Sequence, residues 1–347
     1  MPIKTNFLER TLFYTLNQGP APILDIFAAI GFRTICAAIR LGVVDALDKS
    51  PGTFHETAAA CSIDPQGARR LLDILVKFSY ARQQGDRYEL SSLAKKWLTD
   101  RDGTNFSPYF LFWDAVLREF FHNLEDTIRS GAPERNLYEW LENQPEVSRH
   151  FQEAMIAIAS VIKAEVAAKL KFLNTAGSIL DVGGGHAEYS VALCQQYPDL
   201  RATVFDSLGA LKAGRLNIGG AGLADRIQTR PGSFLTDDLP AGFDAALVFN
   251  IIHGFKPGQN IDLFRKVRQA LEPGGRIVVL EQVDENTPLP LNNTAVKILD
   301  LTYFHTLGGQ VYSYAAIEHW LYEAGYKTVE RLDMIKVPGN ALVVGTK

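Results

Sequence analysis

The stretch Ser178-Ile-Leu-Asp-Val-Gly-Gly-Gly-His186, followed one βα unit later by Ala202-Thr-Val-Phe-Asp206, constrains the fold more than any other part of the chain. Each apolar run ends in an acidic residue, and glycines follow the first. A parallel sheet presents a nucleoside-bearing ligand in this way. The first strand stops, glycines let the backbone approach the ligand, and the second strand delivers a carboxylate to a ribose. A dinucleotide fingerprint needs G-x-G-x-x-G, so that a helix N-terminus faces a pyrophosphate. Gly183 and Gly185 fill its first two places, but the third falls on Glu188, whose carboxylate suits a pyrophosphate badly. Asp181, just before the glycines, suits a ligand with a cationic or hydroxyl-bearing portion.

Strands and helices alternate from about residue 173 to 347. Strands are expected at 178–182, 201–205, 226–230, 243–249, 276–281, 327–332 and 341–345, and helices near 187–197, 208–218, 258–271 and 314–324. This rhythm implies a doubly wound α/β sheet of seven strands, mostly parallel. Only eight residues join the last two strands, too few for a crossover helix, so the final strand should run antiparallel.

Residues 1–100 read as a mainly helical domain of winged-helix pattern. Ile23, Phe27, Ile30, Ile35, Ile39 and Val43 recur as one face of a helix that Ser50-Pro-Gly-Thr should break. Thr53-Phe-His-Glu56 has the form of a capping box, and Asp64-Pro65 that of an N-cap with proline at the first helical position. A hairpin over 81–90 turns at Gly85-Asp86. Such a domain could hold DNA, but residues 51–100 carry seven Lys/Arg against six Asp/Glu, a poor phosphate-binding footprint. It reads as an interaction and dimerisation module. Residues 101–172 are expected to be a helical linker and substrate lid, rich in aromatics.

The net charge of −4 gives no electrostatic case for nucleic acid or an anionic membrane. No apolar run approaches the length of a membrane span. Three isolated cysteines, Cys36, Cys61 and Cys194, suggest neither disulfides nor zinc and fit a reducing cytoplasm. The carboxylates and histidines form no metal-like cluster, so no metal is expected.

Ligands of open α/β sheets lie beyond the carboxyl ends of the strands. Those ends offer Asp181 and the glycine loop, then Asp206 for the ribose hydroxyls. The third gives Gly232-Ser233-Phe234 near the expected adenine. The fourth gives Asn250 and, just beyond, His253; the fifth gives Glu281. His253 and Glu281 should therefore be neighbours. A histidine can remove a hydroxyl proton, and a carboxylate on its other nitrogen would fix the tautomer. Trp113, Met155, Phe304 and His305 are expected to line the substrate pocket.

The D-x-G-x-G pattern resembles motif I of class I S-adenosylmethionine (SAM) methyltransferases. Over nearly its whole length the chain resembles the SAM-dependent O-methyltransferases of the caffeate, acetylserotonin and bacterial natural-product type. The passages that carry this are Phe151-Gln-Glu-Ala-Met155, Ile179–Gly185, Asn250-Ile-Ile-His253, Leu271–Glu281 and Gly308-Gly-Gln-Val-Tyr-Ser313. The resemblance implies SAM as cofactor, a homodimer formed through the N-terminal domain, and an aromatic or polyketide-like substrate of secondary metabolism. It also implies His253 as catalytic base with Glu281 flanking it. Three departures stand out, the first being Gly232-Ser233 where the family commonly has Gly-Asp at the adenine edge. Gly254 replaces the aspartate that often follows the histidine, and Val311 stands where plant members have a second glutamate. Relatives that methylate carbon, or that bind SAM and catalyse pericyclic, eliminating or decarboxylating reactions, keep those outcomes open.

Overall fold

The computed structural model describes residues 5–101, 104–337 and 339–347. The chain divides into two compact units, Met1–Glu119 and Phe120–Lys347. The division falls inside the stretch expected to form a separate helical region.

In the first unit β1 (Gly52–Thr53), β2 (Ala81–Gln84) and β3 (Arg87–Leu90) form an antiparallel sheet of order β1-β3-β2. Sequence reading foresaw the hairpin, whose tip glycine, Gly85, has φ +62°, but not the short β1. Both helix starts form as their side chains dictate. Thr53 and Glu56 make the reciprocal capping box, and Asp64 Oδ1 accepts the Gly67 N–H at 2.8 Å. The first long helix ends earlier than expected. Ile23–Arg40 is followed by Gly42 at φ +72°, and Val43–Lys49 is a separate helix, because the left-handed conformation that glycine permits turns the chain there. The expected apolar face also splits. Ile35 and Val43 are buried with Leu72, Leu75, Tyr88 and Leu90, whereas Ile23, Phe27 and Ile30 remain exposed.

The second unit holds seven strands: β4 (Ser178–Val182), β5 (Arg201–Asp206), β6 (Ile227–Pro231), β7 (Phe243–Phe249), β8 (Leu271–Gln282), β9 (Thr328–Asp333) and β10 (Asn340–Thr346). Their order is β6-β5-β4-β7-β8-β10-β9, with β10 antiparallel to both neighbours and the remaining pairs parallel. Period-two alternation sorts the core. Ile179, Leu247, Val278, Leu280 and Leu342 pack on one face, with residues of helices Pro145–Lys169 and Glu188–Gln196. Leu180, Val182, Val248, Val279 and Val343 pack on the other, with helices Pro257–Ala270 and Tyr314–Glu323. Strands buried on both faces read as continuous apolar runs, which made them legible. Helix Pro290–Leu307 was not foreseen. Its buried residues (Val296, Thr302, His305, Thr306 and Leu307) are too few and too polar to mark a face.

Candidate active site

The glycine loop leaves β4 with Gly183 at φ +69°, its N–H donating to Phe205 O at 2.8 Å. A Cβ on Gly184 would collide with the Asp181 carboxylate, and one on Gly183 would press on Ile251. Only bare backbone fits between the two acids and the 250–254 turn. Asp181 is 2% exposed and accepts the Ser190 hydroxyl at 2.6 Å on Oδ2. Burial pushes its carboxyl up to about 6, against the pull of that hydrogen bond. Asp206 Oδ2 accepts the Gly185 N–H at 2.9 Å and Oδ1 accepts the Ser207 N–H at 2.6 Å. Burial raises this carboxyl too, with both backbone donors opposing. Each oxygen of Asp206 keeps a further lone-pair direction, so the carboxylate can accept two hydroxyl donors together.

Glu188, the residue that breaks the dinucleotide fingerprint, is buried and turned into the protein. It pairs with Lys163 and accepts Asn217 Nδ2 at 2.6 Å. It ties helix Pro145–Lys169 to the glycine loop. His186 accepts the Glu188 N–H on Nδ1 at 3.1 Å, and burial pushes its imidazole down to about 4. It is therefore a neutral ring at pH 7.

On β6 the chain turns at Gly232, where a Cβ would strike the Phe205 ring. The Ser233 N–H donates to Asp237 Oδ2 at 2.9 Å, and Phe234 meets Phe255 edge to face. Just after β7 stands Asn250 in the left-handed conformation, φ +54°, which asparagine tolerates better than most residues. The turn carries Ile251 over Gly183 and places His253 beyond the strand end. His253 Nδ1 lies 2.9 Å from Glu281 Oε1, both side chains buried. A carboxylate only accepts, so Nδ1 carries the proton and Nε2 presents its lone pair. Among the described residues, Nε2 has no hydrogen-bond partner and Glu281 Oε2 is buried without one. The two residues that sequence reasoning placed on adjacent strand ends do meet.

Among the residues expected to line the substrate pocket, His305 is already engaged within the protein. His305 is buried with both nitrogens engaged: Nδ1 with Thr127 Oγ1 at 2.9 Å and Nε2 with Phe120 O at 3.0 Å. Met155 is half-buried on helix Pro145–Lys169, one turn beyond Gln152, which lies against Gly185. Phe304 is half-buried, while its neighbour Tyr303 stacks on His253. Trp113 belongs to the first unit, edge to face with Tyr109 and Phe112. A Cβ on Gly254 would be in ordinary contact with Leu307 and Tyr138, 3.8 and 3.9 Å away, and Val311 is buried with its N–H on Asp300.

Sequence reasoning missed Tyr138, Tyr303 and Ser190. Tyr138 is 41% exposed as a residue, yet its hydroxyl is desolvated in the field of Glu281 and Asp206, and its ionisation is pushed up. Nothing in a lone tyrosine on a short helix signals this. Ser190 stands nine residues beyond Asp181, on the helix that follows the loop, and the βα register would have shown it.

The cradle fits a ligand with a ribose diol and a cationic portion, and fold and site define a class I SAM-dependent methyltransferase. Residues 118–327 match the O-methyltransferase domain family and residues 26–100 the O-methyltransferase dimerisation domain. The chain belongs to the O-methyltransferase family. It is 28% identical to an L-tyrosine C(3)-methyltransferase of Streptomyces lavendulae, over 95% of this chain and 93% of that one. It is also 28% identical to the tetracenomycin polyketide synthesis 8-O-methyl transferase TcmO of Streptomyces glaucescens, over 96% and 98%. Human N-acetylserotonin methyltransferase in complex with SAM shares the fold, with a TM-score of 0.83 at 21% identity over 95% and 98% of the two chains.

Among the described residues no group of His, Cys, Asp and Glu could hold a metal ion, and no single helix is long and apolar enough to cross a membrane.

Proposed function

We propose that this enzyme methylates a phenolic or enolic hydroxyl of a small aromatic or polyketide-like molecule, with His253 as general base. The observation that carries the reading is the buried His253–Glu281 pair, its free Nε2 beyond β7, on the turn that packs over the cofactor loop. Bound SAM supplies a methyl group on a sulfonium, an electrophile that needs an electron-rich acceptor. Asp206 would hold the ribose hydroxyls. Asp181 and the glycine-loop backbone would hold the amino-acid portion, with Gly232, Ser233, Phe234 and Asn250 around the base and nucleoside. His253 Nε2 takes the acceptor hydroxyl's proton, and Glu281 steadies the imidazolium through Nδ1. Met155, Phe304 and Tyr138 are proposed to line the acceptor's side, where excluded water favours the transfer.

A C-methylating reading has one specific support, the C-methyltransferase relative. The same base serves it, since removing a phenol proton spreads charge onto the ortho carbon, and the atom facing the methyl group decides. Incubating the protein with labelled SAM and a panel of phenols and polyketides tests both. A product one methylene heavier and stable to O-demethylation would mean carbon; an unchanged mass would sink methyl transfer altogether.

We further propose a homodimer through the first unit. Phe7, ahead of the matched dimerisation domain, and Ile26, Phe27 and Ile30 within it are apolar side chains 49–87% exposed on a single chain. A monomer by light scattering at micromolar concentration would count against it.

A further inference from the structure

We propose that Tyr303 is a positioning residue for the base, clamping the His253 imidazole from its face and stabilising it once protonated. The inference rests on the reading of His253 as base. The Tyr303 and imidazole rings stack with centroids 3.9 Å apart and planes 13° from parallel. Glu281 holds the same imidazole in its own plane through Nδ1. One in-plane bond leaves the ring free to twist about the bond axis, and a stacked face removes that freedom.

Both contacts are anchored on the end of β8. Glu281 supplies the carboxylate. The next residue, Gln282, accepts the Tyr303 hydroxyl on Oε1 at 2.9 Å, donates from Nε2 to Asn340 Oδ1 at 3.2 Å, and gives its own N–H to Glu281 Oε1 at 3.2 Å. Tyr303 is thus fixed by the strand that fixes the acid. The stack also discriminates between ring states. A phenol face attracts a cation more than a neutral ring, so its contribution grows as Nε2 receives the proton. That matters in a site where Val311, one residue beyond the Gln310 whose N–H bonds His253 O at 3.0 Å, offers no second carboxylate.

Among the described residues, Glu281 from β8 and Tyr303 from helix Pro290–Leu307 contact the ring, and the Tyr138 phenol from helix Leu137–Glu142 lies in the field of Glu281. Lys256 is bonded to Gly308 O, and Asp300 to the Val311 N–H.

The test uses full-length protein labelled with 15N-histidine and saturated with S-adenosylhomocysteine, the ring signals of His253 being assigned with H253Q. In Tyr303→Leu the titration midpoint of this ring should move to lower pH by about half a unit to one unit, with Nδ1 still holding its proton against Glu281. Tyr303→Phe, which keeps the stack and loses the Gln282 bond, should stay within about 0.3 of wild type. With an acceptor in hand, kcat of Tyr303→Leu should fall about tenfold and its acid limb should follow the NMR midpoint, while KM for SAM holds. A Tyr303→Leu titration superimposing on wild type would overturn the inference. If calorimetry with S-adenosylhomocysteine shows that Tyr303→Leu is unfolded, Tyr303→Met carries the same expectation. Full turnover by H253Q would instead overturn the base reading, and the positioning role with it.

Discussion

The two halves of this site are built by different means. On the β4–β5 side the contacts are made by backbone and by acids at strand ends: a loop that tolerates no Cβ at Gly184, and Asp181 and Asp206 held by a hydroxyl and by N–H groups. On the β7–β8 side the contacts are side chain to side chain, with His253 gripped by Glu281 in plane and Tyr303 from its face. The first half should tolerate few substitutions without losing the cofactor. The second can be altered residue by residue with the cofactor still bound. The comparison predicts a clean division: lesions on one side are read in SAM affinity, lesions on the other in turnover.

The largest effect separates the two. His253→Gln should lower kcat on the order of 10³-fold while the Kd for SAM, by calorimetry, stays within about twofold. Glu281→Gln should follow with a smaller loss, on the order of 10²-fold, because Nδ1 keeps a neutral acceptor. If either variant lost SAM affinity in proportion to activity, the division would fail.

Next comes the opposite lesion. Asp206→Ala removes the proposed acceptor of two ribose hydroxyls, each worth about 1.5–3 kcal/mol when one partner is charged. An affinity loss of about a hundredfold or more is expected, with kcat at saturating SAM little changed. An unchanged Kd would place the ribose elsewhere.

Asp181 sharpens the cofactor half through pH. Its folded value, about 6 against an ordinary 3.8, is raised by burial first, so the fold favours the neutral acid. The stability this gives is complete below about pH 3.8 and is lost as pH rises through about 6. The span is worth about 3 kcal/mol, and the group is buried enough that solvent screens it little. In cofactor-free protein, Asp181→Asn should therefore gain on wild type by about 2–3 kcal/mol between pH 4 and pH 8 in urea unfolding. It should also bind SAM less well at pH 8. A difference independent of pH would mean that Asp181 is not paying a desolvation cost at all.

The same contrast explains what the sequence could reveal. Asp181, the glycines and Asp206 are contiguous with the strands that carry them, so apolar runs and loop composition located them together. His253 and Glu281, 28 residues apart, became neighbours once β7 and β8 were placed side by side. Tyr303 lay beyond reach for a geometric reason. It stands on a helix with no clear apolar face, where one residue's step from Phe304 turns a side chain about 100° around the axis. Glu188 shows the other limit. Its place in the loop suggests a carboxylate facing the ligand, but the side chain turns inward to Lys163 and Asn217, a pairing that depends on two helices periodicity does not bring together. The exposed Ile23, Phe27 and Ile30 repeat the point: periodicity marks an apolar face but not whether the same chain covers it.

The smallest expected effect tests the wall beside the base. Gly254 has an ordinary φ, and a Cβ there meets Leu307 and Tyr138 at van der Waals distance, so Gly254→Asp should fold with Tm within about 2 °C of wild type. SAM affinity should not move, because the new carboxylate stands on the β7–β8 side. What should change is the choice among acceptors. A charge beside Tyr138 and Leu307 penalises apolar substituents next to the reacting hydroxyl and favours hydroxylated ones, by about 1–2 kcal/mol in relative kcat/KM. A phenol panel run against both proteins reads this directly. If the ranking of acceptors stays the same, the space beside Gly254 is not part of the acceptor pocket, and the specificity of this side must come from the helices farther from the base.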